Sequence, residues 1–379
     1  MRVEYRGVVT KRTPLAQPRT DPWQPDVLGA GYEQRRIPLG DDPDGEGTVE
    51  ATLVRYTGSP AADAGSDDPT PATSGTADAA SDPGDAASRA TVPGTDAPTA
   101  AVLYVHGFTD YFFQQHLAEH MAAQSHRFYA LDLRKCGRSR LPGQTPHYVS
   151  DLALYDAELN EALRIVREET GLPVLVMAHS TGGLVASLWL DRLRSAEGTA
   201  GVTGLVLNSP WFDLQGPSYY RTIGTPLIDG LGRLRAMTRM PGAELTTYGD
   251  SLHQSVAGEW DYNLDWKPLT GFPVHFGWLR AIRRGHARLQ RGLDIGVPAL
   301  ILRSKVTRFM RAYGPAADVA DVVLDVRQIQ RWSGCLGGRT NIVPIEGARH
   351  DVFLSAAPVR TQAFGELDSW LRWLAQRQD

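Results

Sequence analysis

The sequence predicts an α/β fold, in which a mostly parallel central sheet carries helices on both faces and a cap is inserted between two strands. Three observations favour this class. Short apolar runs typical of buried strands alternate with helical segments through most of the 379 residues, and this alternation indicates a parallel sheet covered on both sides. One acidic segment and one aromatic-rich segment interrupt the alternation. The length suits a single α/β core with these two additions.

The first predicted strand, Thr48–Tyr56, is followed by an unusual segment, residues 57–99. That segment contains seven Asp, one Arg and no aromatic residue, and Val92 is its only large aliphatic side chain. It can bury too little apolar surface to offset the entropy of ordering the chain. We expect a disordered acidic insertion between two neighbouring strands, Thr48–Tyr56 and Ala100–Val105.

The remaining core elements follow from apolar runs and from helical periodicity. Ser150 should cap a helix whose apolar side chains recur every three or four residues and which ends at Gly171. The C-terminal segment 359–376 has the pattern of an amphipathic helix. Further strands are expected at 128–132, 173–178, 203–208, 298–303 and 341–345, and a further helix at 182–194.

These elements divide the chain into five regions. Residues 213–296 are rich in Gly, Pro and aromatic residues and show no regular strand–helix alternation, so we expect a cap or lid there. The predicted regions are an N-terminal segment with the first strand (1–56), the acidic insertion (57–99), the first part of the core (100–212), the cap (213–296) and the second part of the core (297–379).

Composition and charge exclude several functional classes. Hydrophobic residues make up 42% and charged residues 22% of the chain, as in ordinary globular proteins. The net charge is −4, which disfavours a nucleic-acid partner because attraction to phosphates needs a positive excess. The insertion carries −6, so the other 336 residues carry +2 and are nearly neutral. The two cysteines suit a reducing compartment, and neither a secretory signal nor a bilayer-spanning stretch is recognisable. We therefore expect a cytoplasmic location.

The strongest local signal is the heptapeptide that runs from Met177 to Gly183, between a predicted strand and a predicted helix. A tight strand-to-helix turn lifts Ser180 clear of the sheet, and it requires small residues two positions before and two positions after the serine. Ala178 and Gly182 meet this requirement. The segment therefore predicts a nucleophilic serine at a helix N-terminus, where developing negative charge is stabilised.

Two further segments follow the ends of predicted strands. Gly107 in the sequence His106-Gly-Phe108 allows a close backbone approach, so the N–H of Phe108, together with that of Thr181, is a candidate oxyanion donor. The alternative is a simple strand-end turn with a structural histidine. His350 follows the strand at 341–345 and is the candidate general base for Ser180.

The acidic partner of His350 is ambiguous. The strand at 298–303 is not followed at once by a carboxylate, and the candidates are Asp321 and Asp325. Asp325 is well placed to cap a helix that begins near Val326, which leaves Asp321 free to orient the imidazole. We prefer Asp321 and retain Asp325 as the alternative.

This arrangement resembles the α/β-hydrolase fold, and most closely its monoacylglycerol-lipase, lysophospholipase and serine aminopeptidase branch. The matching pieces are His106-Gly-Phe, His179-Ser-Thr-Gly-Gly, Asp321-Val-Val-Leu-Asp and Gly347-Ala-Arg-His, within residues 100–210 and 297–379. In that family the acid is the first Asp of its motif, which corresponds to Asp321. The sequence departs from the family at Ala178, where Gly is usual, and in the extra residues before Asp321.

The expected function is that of a serine esterase or lipase without a cofactor, in which Ser180, His350 and Asp321 form the triad. The aromatic cap suggests a small apolar ester as substrate, such as an acylglycerol or a lysophospholipid, and transient contact of the cap with lipid. Four cap residues are candidate substrate contacts: Tyr248, His253, Trp260 and Tyr262.

Two other functions remain open. The sequence His116-Leu-Ala-Glu-His120 has the H-x-x-E-H spacing of some zinc peptidases, in which two histidines on one helical face bind the metal. Under the hydrolase hypothesis the same residues form the surface helix after the strand Ala100–Val105. The third hypothesis is a non-catalytic ligand-binding protein of the same fold.

Overall fold

A nine-stranded sheet lies at the centre of the computed structural model, which describes residues 21–58, 97–214, 224–241 and 246–377. The strands are β1 (Gln24–Pro25), β2 (Tyr32–Asp41), β3 (Thr48–Tyr56), β4 (Ala100–Val105), β5 (His126–Asp132), β6 (Val174–His179), β7 (Val202–Asn208), β8 (Ala299–Ser304) and β9 (Thr340–Ile345). Their order in the sheet is β1-β2-β3-β5-β4-β6-β7-β8-β9; the last six strands in this order run parallel, and the first three pair antiparallel.

Helices cover both faces of the sheet, as the sequence predicts. Alternate side chains of β6 show why: Val174, Val176 and Ala178 belong to one apolar core, while Leu175 and Met177 belong to another on the opposite face. The α-helices of the described residues are α1 (Gln115–Ala123), α2 (Asp156–Thr170), α3 (Thr181–Glu197), α4 (Gly224–Leu234), α5 (Thr246–Leu252), α6 (Phe276–Leu289), α7 (Val326–Trp332) and α8 (Ala357–Ala375). The mostly parallel α/β architecture is therefore confirmed.

One topological prediction is wrong. Strands β3 and β4 have the predicted bounds, but they are not neighbours, because β5 lies between them. β5 pairs antiparallel with β3, with Thr52 opposite Asp132, and parallel with β4. The insertion at 57–99 thus connects strands that lie on either side of β5. Residues 59–96 of the insertion are outside the described residues, and so is the prediction of disorder there.

The start of the helix predicted from Ser150 also differs. Asp151 is the capping residue, since its carboxylate accepts a hydrogen bond from the N–H of Ala153 at 3.0 Å. A 3₁₀ turn then precedes α2, while the Ser150 N–H donates to Asp44 instead. Gly171 ends α2 in the left-handed conformation with φ of 65°, as predicted.

The region predicted as a cap contributes helices but no sheet strand within its described part. It lies between β7 and β8 in the chain and contains α4, α5 and α6. Gly285 of α6 packs against Leu184 and Leu188 of α3, where an added Cβ atom would lie 3.1–3.3 Å from those two side chains. In the ranges that the structure describes, we find no helix with the length and apolarity needed to cross a membrane.

Candidate active site

Ser180 occupies the turn between β6 and α3. Its backbone has φ of 51° and ψ of −118°, a sparsely populated combination for a residue with a side chain. Two hydrogen bonds to β7 and the loop after it fix this turn: the Ser180 N–H donates to the Asn208 carbonyl at 2.9 Å, and the Ser180 carbonyl accepts from the Trp211 N–H at 3.0 Å. A strained backbone fixed by the surrounding structure is typical of functional sites.

Two glycines allow other main-chain segments to approach this turn. A Cβ atom on Gly182 would lie 2.2 Å from the carbonyl oxygen of His106 and 2.8 Å from that of Val105. A Cβ atom on Gly107 would lie 3.0 Å from the Cβ of Ser180. Helix α3 therefore packs its first turn directly on the end of β4, and the loop after β4 passes close beside Ser180.

The structure brings Ser180, His350 and Asp321 into one hydrogen-bonded chain. The Oγ of Ser180 lies 3.0 Å from Nε2 of His350, and Nδ1 of His350 lies 2.9 Å from Oδ2 of Asp321. Asp321 and His350 are buried, and Ser180 is 8% exposed. With the Nδ1–H of His350 donating to the carboxylate, Nε2 can accept the hydroxyl proton of the serine.

The backbone around Asp321 orients its carboxylate. Its Oδ1 accepts hydrogen bonds from the N–H groups of Val323 and Leu324 at 2.8 and 2.7 Å, which leaves Oδ2 for His350. Asp325 instead caps α7, where its side chain accepts from the N–H of Arg327 at 3.1 Å. Asp325 thus has the capping role expected from the sequence, and Asp321 is the carboxylate that contacts His350.

The two candidate oxyanion donors lie at the wall of the same cavity as Ser180. Neither the N–H of Phe108 nor that of Thr181 donates a hydrogen bond to any group in the described part of the chain. His106, in contrast, has a structural role. Its Nε2 accepts from the Leu133 N–H at 3.1 Å, so its Nδ1–H donates to the Gly107 carbonyl at 2.7 Å and stabilises the turn.

A cavity of about 510 Å³ opens above Ser180. Its volume lies within the usual range for small-molecule sites. Most of the wall is apolar and is supplied by both the core and the cap, and Ser180 and His350 also line it. The apolar lining residues include Phe108, Trp211, Leu214, Met240, Leu269, Val274, Trp278, Leu279, Val323 and Leu324.

Two of the four predicted cap contacts line this cavity. Tyr248 and Tyr262 do so, and burial raises the pKa of both phenols, which keeps them neutral. His253 and Trp260 are not among the lining residues. His253 lies 3.2 Å from the Tyr262 carbonyl, and the Trp260 indole N–H donates to the Leu354 carbonyl at 3.0 Å. Both side chains are used in these contacts, which lie within the cap for His253 and between the cap and the core for Trp260.

Sequence reasoning missed a buried ion pair at the cavity wall. Lys267, from the cap, lies 2.8 Å from Asp110, from the loop after β4. It also missed the Trp278 ring, which packs against Phe108 with centroids 4.3 Å apart. Neither Lys267 nor Trp278 belongs to a motif, and only the folded cap brings them to the site.

The H-x-x-E-H segment forms α1, the helix after β4, as expected under the hydrolase hypothesis. Nε2 of His116 lies 2.8 Å from the Phe353 carbonyl, and Nε2 of His120 lies 2.8 Å from Asp368. Burial lowers the pKa of His116 to about 4. The described residues contain no group of three or more His, Cys, Asp or Glu side chains arranged to hold a metal ion.

Comparisons with known proteins agree with this architecture. A phospholipase of Bacillus subtilis (strain 168), YtpA, is 29% identical over 122 residues, which are 32% of this chain and 44% of that protein, so the match spans less than half of the relative. A soluble variant of monoglyceride lipase from Saccharomyces cerevisiae, solved with a substrate analogue, aligns with 75% of this chain and 89% of its own at 18% identity and a TM-score of 0.55. Monoacylglycerol lipase of Paleococcus ferrophilus aligns with 73% and 97% at 17% identity and a TM-score of 0.51.

At these identities the solved structures establish the fold alone, which is that of the α/β-hydrolases. The family is established by a different comparison. The model of the family described as serine aminopeptidase, S33, matches residues 96–353, about two thirds of the sequence. The predicted resemblance is thereby confirmed, and the chain belongs to the serine aminopeptidase S33 family of α/β-hydrolases.

Proposed function

We propose that this protein is a serine hydrolase that cleaves carboxylic esters with an apolar acyl group through an acyl-enzyme intermediate. The observation that supports this proposal is the continuous chain of hydrogen bonds from Ser180 through His350 to Asp321, at the wall of a mainly apolar cavity. This order of groups allows a serine hydroxyl to act as a nucleophile near neutral pH.

In the acylation step, Oγ of Ser180 forms a bond to the carbonyl carbon while Nε2 of His350 takes the hydroxyl proton. The carbonyl π electrons move to oxygen, and the N–H groups of Phe108 and Thr181 stabilise the resulting negative charge. The carbon–oxygen bond to the alcohol then breaks, and His350 protonates the leaving oxygen. Water repeats the sequence on the acyl-enzyme and releases the carboxylic acid. Asp321 stabilises the imidazolium throughout and keeps its Nδ1–H oriented.

The cavity favours an apolar acyl chain as the part of the substrate that it buries. Aliphatic and aromatic side chains such as Met240, Leu279 and Trp278 line it beyond Ser180. Each buried methylene group contributes about 0.8 kcal/mol, so a longer chain gains affinity until the cavity is filled. The names of the relatives, a phospholipase and monoglyceride lipases, lend support to a lipid-derived ester as the substrate class.

The test is hydrolysis of p-nitrophenyl acetate, butyrate, octanoate and laurate by the protein and by Ser180→Ala. We expect kcat/KM to rise with chain length and then to level off, and we expect Ser180→Ala to abolish turnover. EDTA should have no effect, because the proposed reaction uses no metal. Turnover that survives Ser180→Ala but is lost with EDTA would replace this proposal with the zinc peptidase built on His116 and His120. Esters that bind without turnover would favour the non-catalytic hypothesis.

A further inference from the structure

The loop after β4, residues 106–111, here named the oxyanion loop, contains a second strained residue beside the site. Thr109 follows Phe108 directly and has φ of 53°. A positive φ is a genuine outlier for a β-branched residue, because its Cβ substituents clash with the backbone in that region. Such a conformation is energetically unfavourable and persists only where neighbouring groups hold it in place.

The groups that hold Thr109 come from the cap. The main-chain N–H of Phe272 donates to Oγ1 of Thr109 at 2.9 Å, and the Lys267 ammonium lies 3.4 Å from the Thr109 carbonyl oxygen. The next residue, Asp110, accepts from Nζ of Lys267 at 2.8 Å. One cap segment therefore contacts two consecutive residues of the oxyanion loop, on the C-terminal side of Phe108.

The Lys267–Asp110 ion pair lies in the protein interior, where its position is fixed. Both residues are buried, at 5% and 2% exposure. Burial alone would raise the pKa of the Asp110 carboxyl, but the nearby Lys267 ammonium lowers it below its ordinary value, so the carboxyl is ionised. The Lys267 ammonium also lies 5.6–5.7 Å from the ring centroids of Phe113, Tyr248 and Tyr262. A desolvated charge so placed strongly resists displacement.

We propose that Lys267 is a positioning residue of the cap, which acts through Asp110 and Thr109 to hold the oxyanion loop so that the Phe108 N–H faces the cavity. The inference rests on the proposed function, since the direction of this N–H matters only if an oxyanion forms beside Ser180. The cap would then influence turnover even of a substrate too small to contact the apolar wall, because it positions the Phe108 N–H.

The test compares Lys267→Met with Lys135→Met, using p-nitrophenyl acetate as a short substrate. Lys135 is a matched control, because it is also buried and ion-paired, with Asp42 and Glu46, but does not line the cavity. Loss of one oxyanion donor costs about 10²–10³ in kcat, so its misalignment in Lys267→Met should cost about tenfold to a hundredfold, with KM changed by less than about twofold. The rate of Ser180 labelling by a fluorophosphonate should fall in parallel.

Lys135→Met should lose stability but keep kcat within about twofold of the unsubstituted protein. Lys267→Arg, which keeps the charge, should restore part of the lost kcat. An unchanged kcat and labelling rate in Lys267→Met would overturn the proposal, and so would equal losses of kcat in the two Met variants. If the unsubstituted protein hydrolyses no ester and Ser180 does not label, the proposed function itself fails, which is a separate result.

A buried carboxylate without its partner can prevent folding, so a second variant is needed. Asp110→Asn combined with Lys267→Met removes both charges and leaves no unpaired ion in the cavity wall. We expect it to fold and to show a kcat loss close to that of Lys267→Met alone, because both substitutions act on the same loop. A double variant with the kcat of the unsubstituted protein would overturn the proposal.

Discussion

Substitution of Gly182 by Ala is a direct test of how the Ser180 turn is built. Gly182 is buried in the first turn of α3, and an added Cβ atom would lie 2.2 Å from one main-chain oxygen, that of His106, and 2.8 Å from another, that of Val105. No side-chain rotamer can relieve this overlap, because both contacts are to the backbone of the adjoining strand end. The start of α3, or the end of β4, must move.

The expected cost has two parts. Alanine gains about 0.5–1 kcal/mol of helix propensity over glycine, whereas overpacking against a fixed backbone costs about 1–3 kcal/mol or more. An overlap of about 1 Å with the His106 carbonyl oxygen, together with a smaller one with that of Val105, belongs at the upper end of that range, so we expect a net loss of about 2 kcal/mol. A displacement of about 1 Å between Ser180 and the oxyanion loop should reduce kcat about a hundredfold.

The measurements are denaturant unfolding and p-nitrophenyl butyrate turnover. The control is Gly365→Ala in the exposed middle of α8, where an added Cβ atom has no neighbour within 4 Å. This control should gain about 0.5–1 kcal/mol of stability and keep full activity. If Gly182→Ala matches Gly365→Ala in both stability and kcat, the close packing of α3 on β4 does not exist and the reasoning is refuted.

Two further predictions concern acids and pH. Asp321→Asn should lower kcat about 10³–10⁴-fold because the imidazole loses its orienting carboxylate, whereas Asp325→Asn should leave kcat nearly unchanged and cost at most about 1 kcal/mol of helix capping; comparable kcat losses in both variants would refute the assignment. Burial, with Arg283 nearby, lowers the pKa of His286 to about 4. Between about pH 4 and about pH 6.5 the unfolded chain therefore binds a proton at His286 that the folded chain does not, so the free energy of unfolding rises with pH over this window. Lowering the pH from about 7 to about 5 should reduce the contribution of this residue to the free energy of unfolding by about 2 kcal/mol. Denaturant unfolding at both pH values should show a smaller difference in His286→Gln, and an identical difference would contradict the account.

Several parts of the candidate site were predictable because local chemistry specifies them. Ser180 lies on a strand-to-helix turn that demands small neighbours, and His350 lies on the loop that follows β9. The preference for Asp321 over Asp325 followed from a capping rule; in the structure Asp325 caps α7, and Asp321 lies 2.9 Å from Nδ1 of His350. Each of these positions depends on residues close in sequence.

The features that could not be predicted depend on contacts between distant segments. The placement of β5 between β3 and β4 is decided by strand pairing, which no single apolar run encodes. Lys267 lies 157 residues from Asp110 in the chain, and no spacing joins them. The aromatic composition of the cap indicated an apolar cavity, but it did not separate Tyr262, which lines the cavity, from Trp260, which packs elsewhere.

Covalent labelling is the most direct test that Ser180 is a nucleophile activated by His350. The protein is treated with a fluorophosphonate, and the modified peptide is located by mass spectrometry, with His350→Ala and Ser180→Ala treated in parallel. We expect a single phosphonylated residue, Ser180, with labelling slowed at least about a hundredfold in His350→Ala and abolished in Ser180→Ala. Labelling at another residue, or labelling of Ser180 at the same rate without His350, would contradict it.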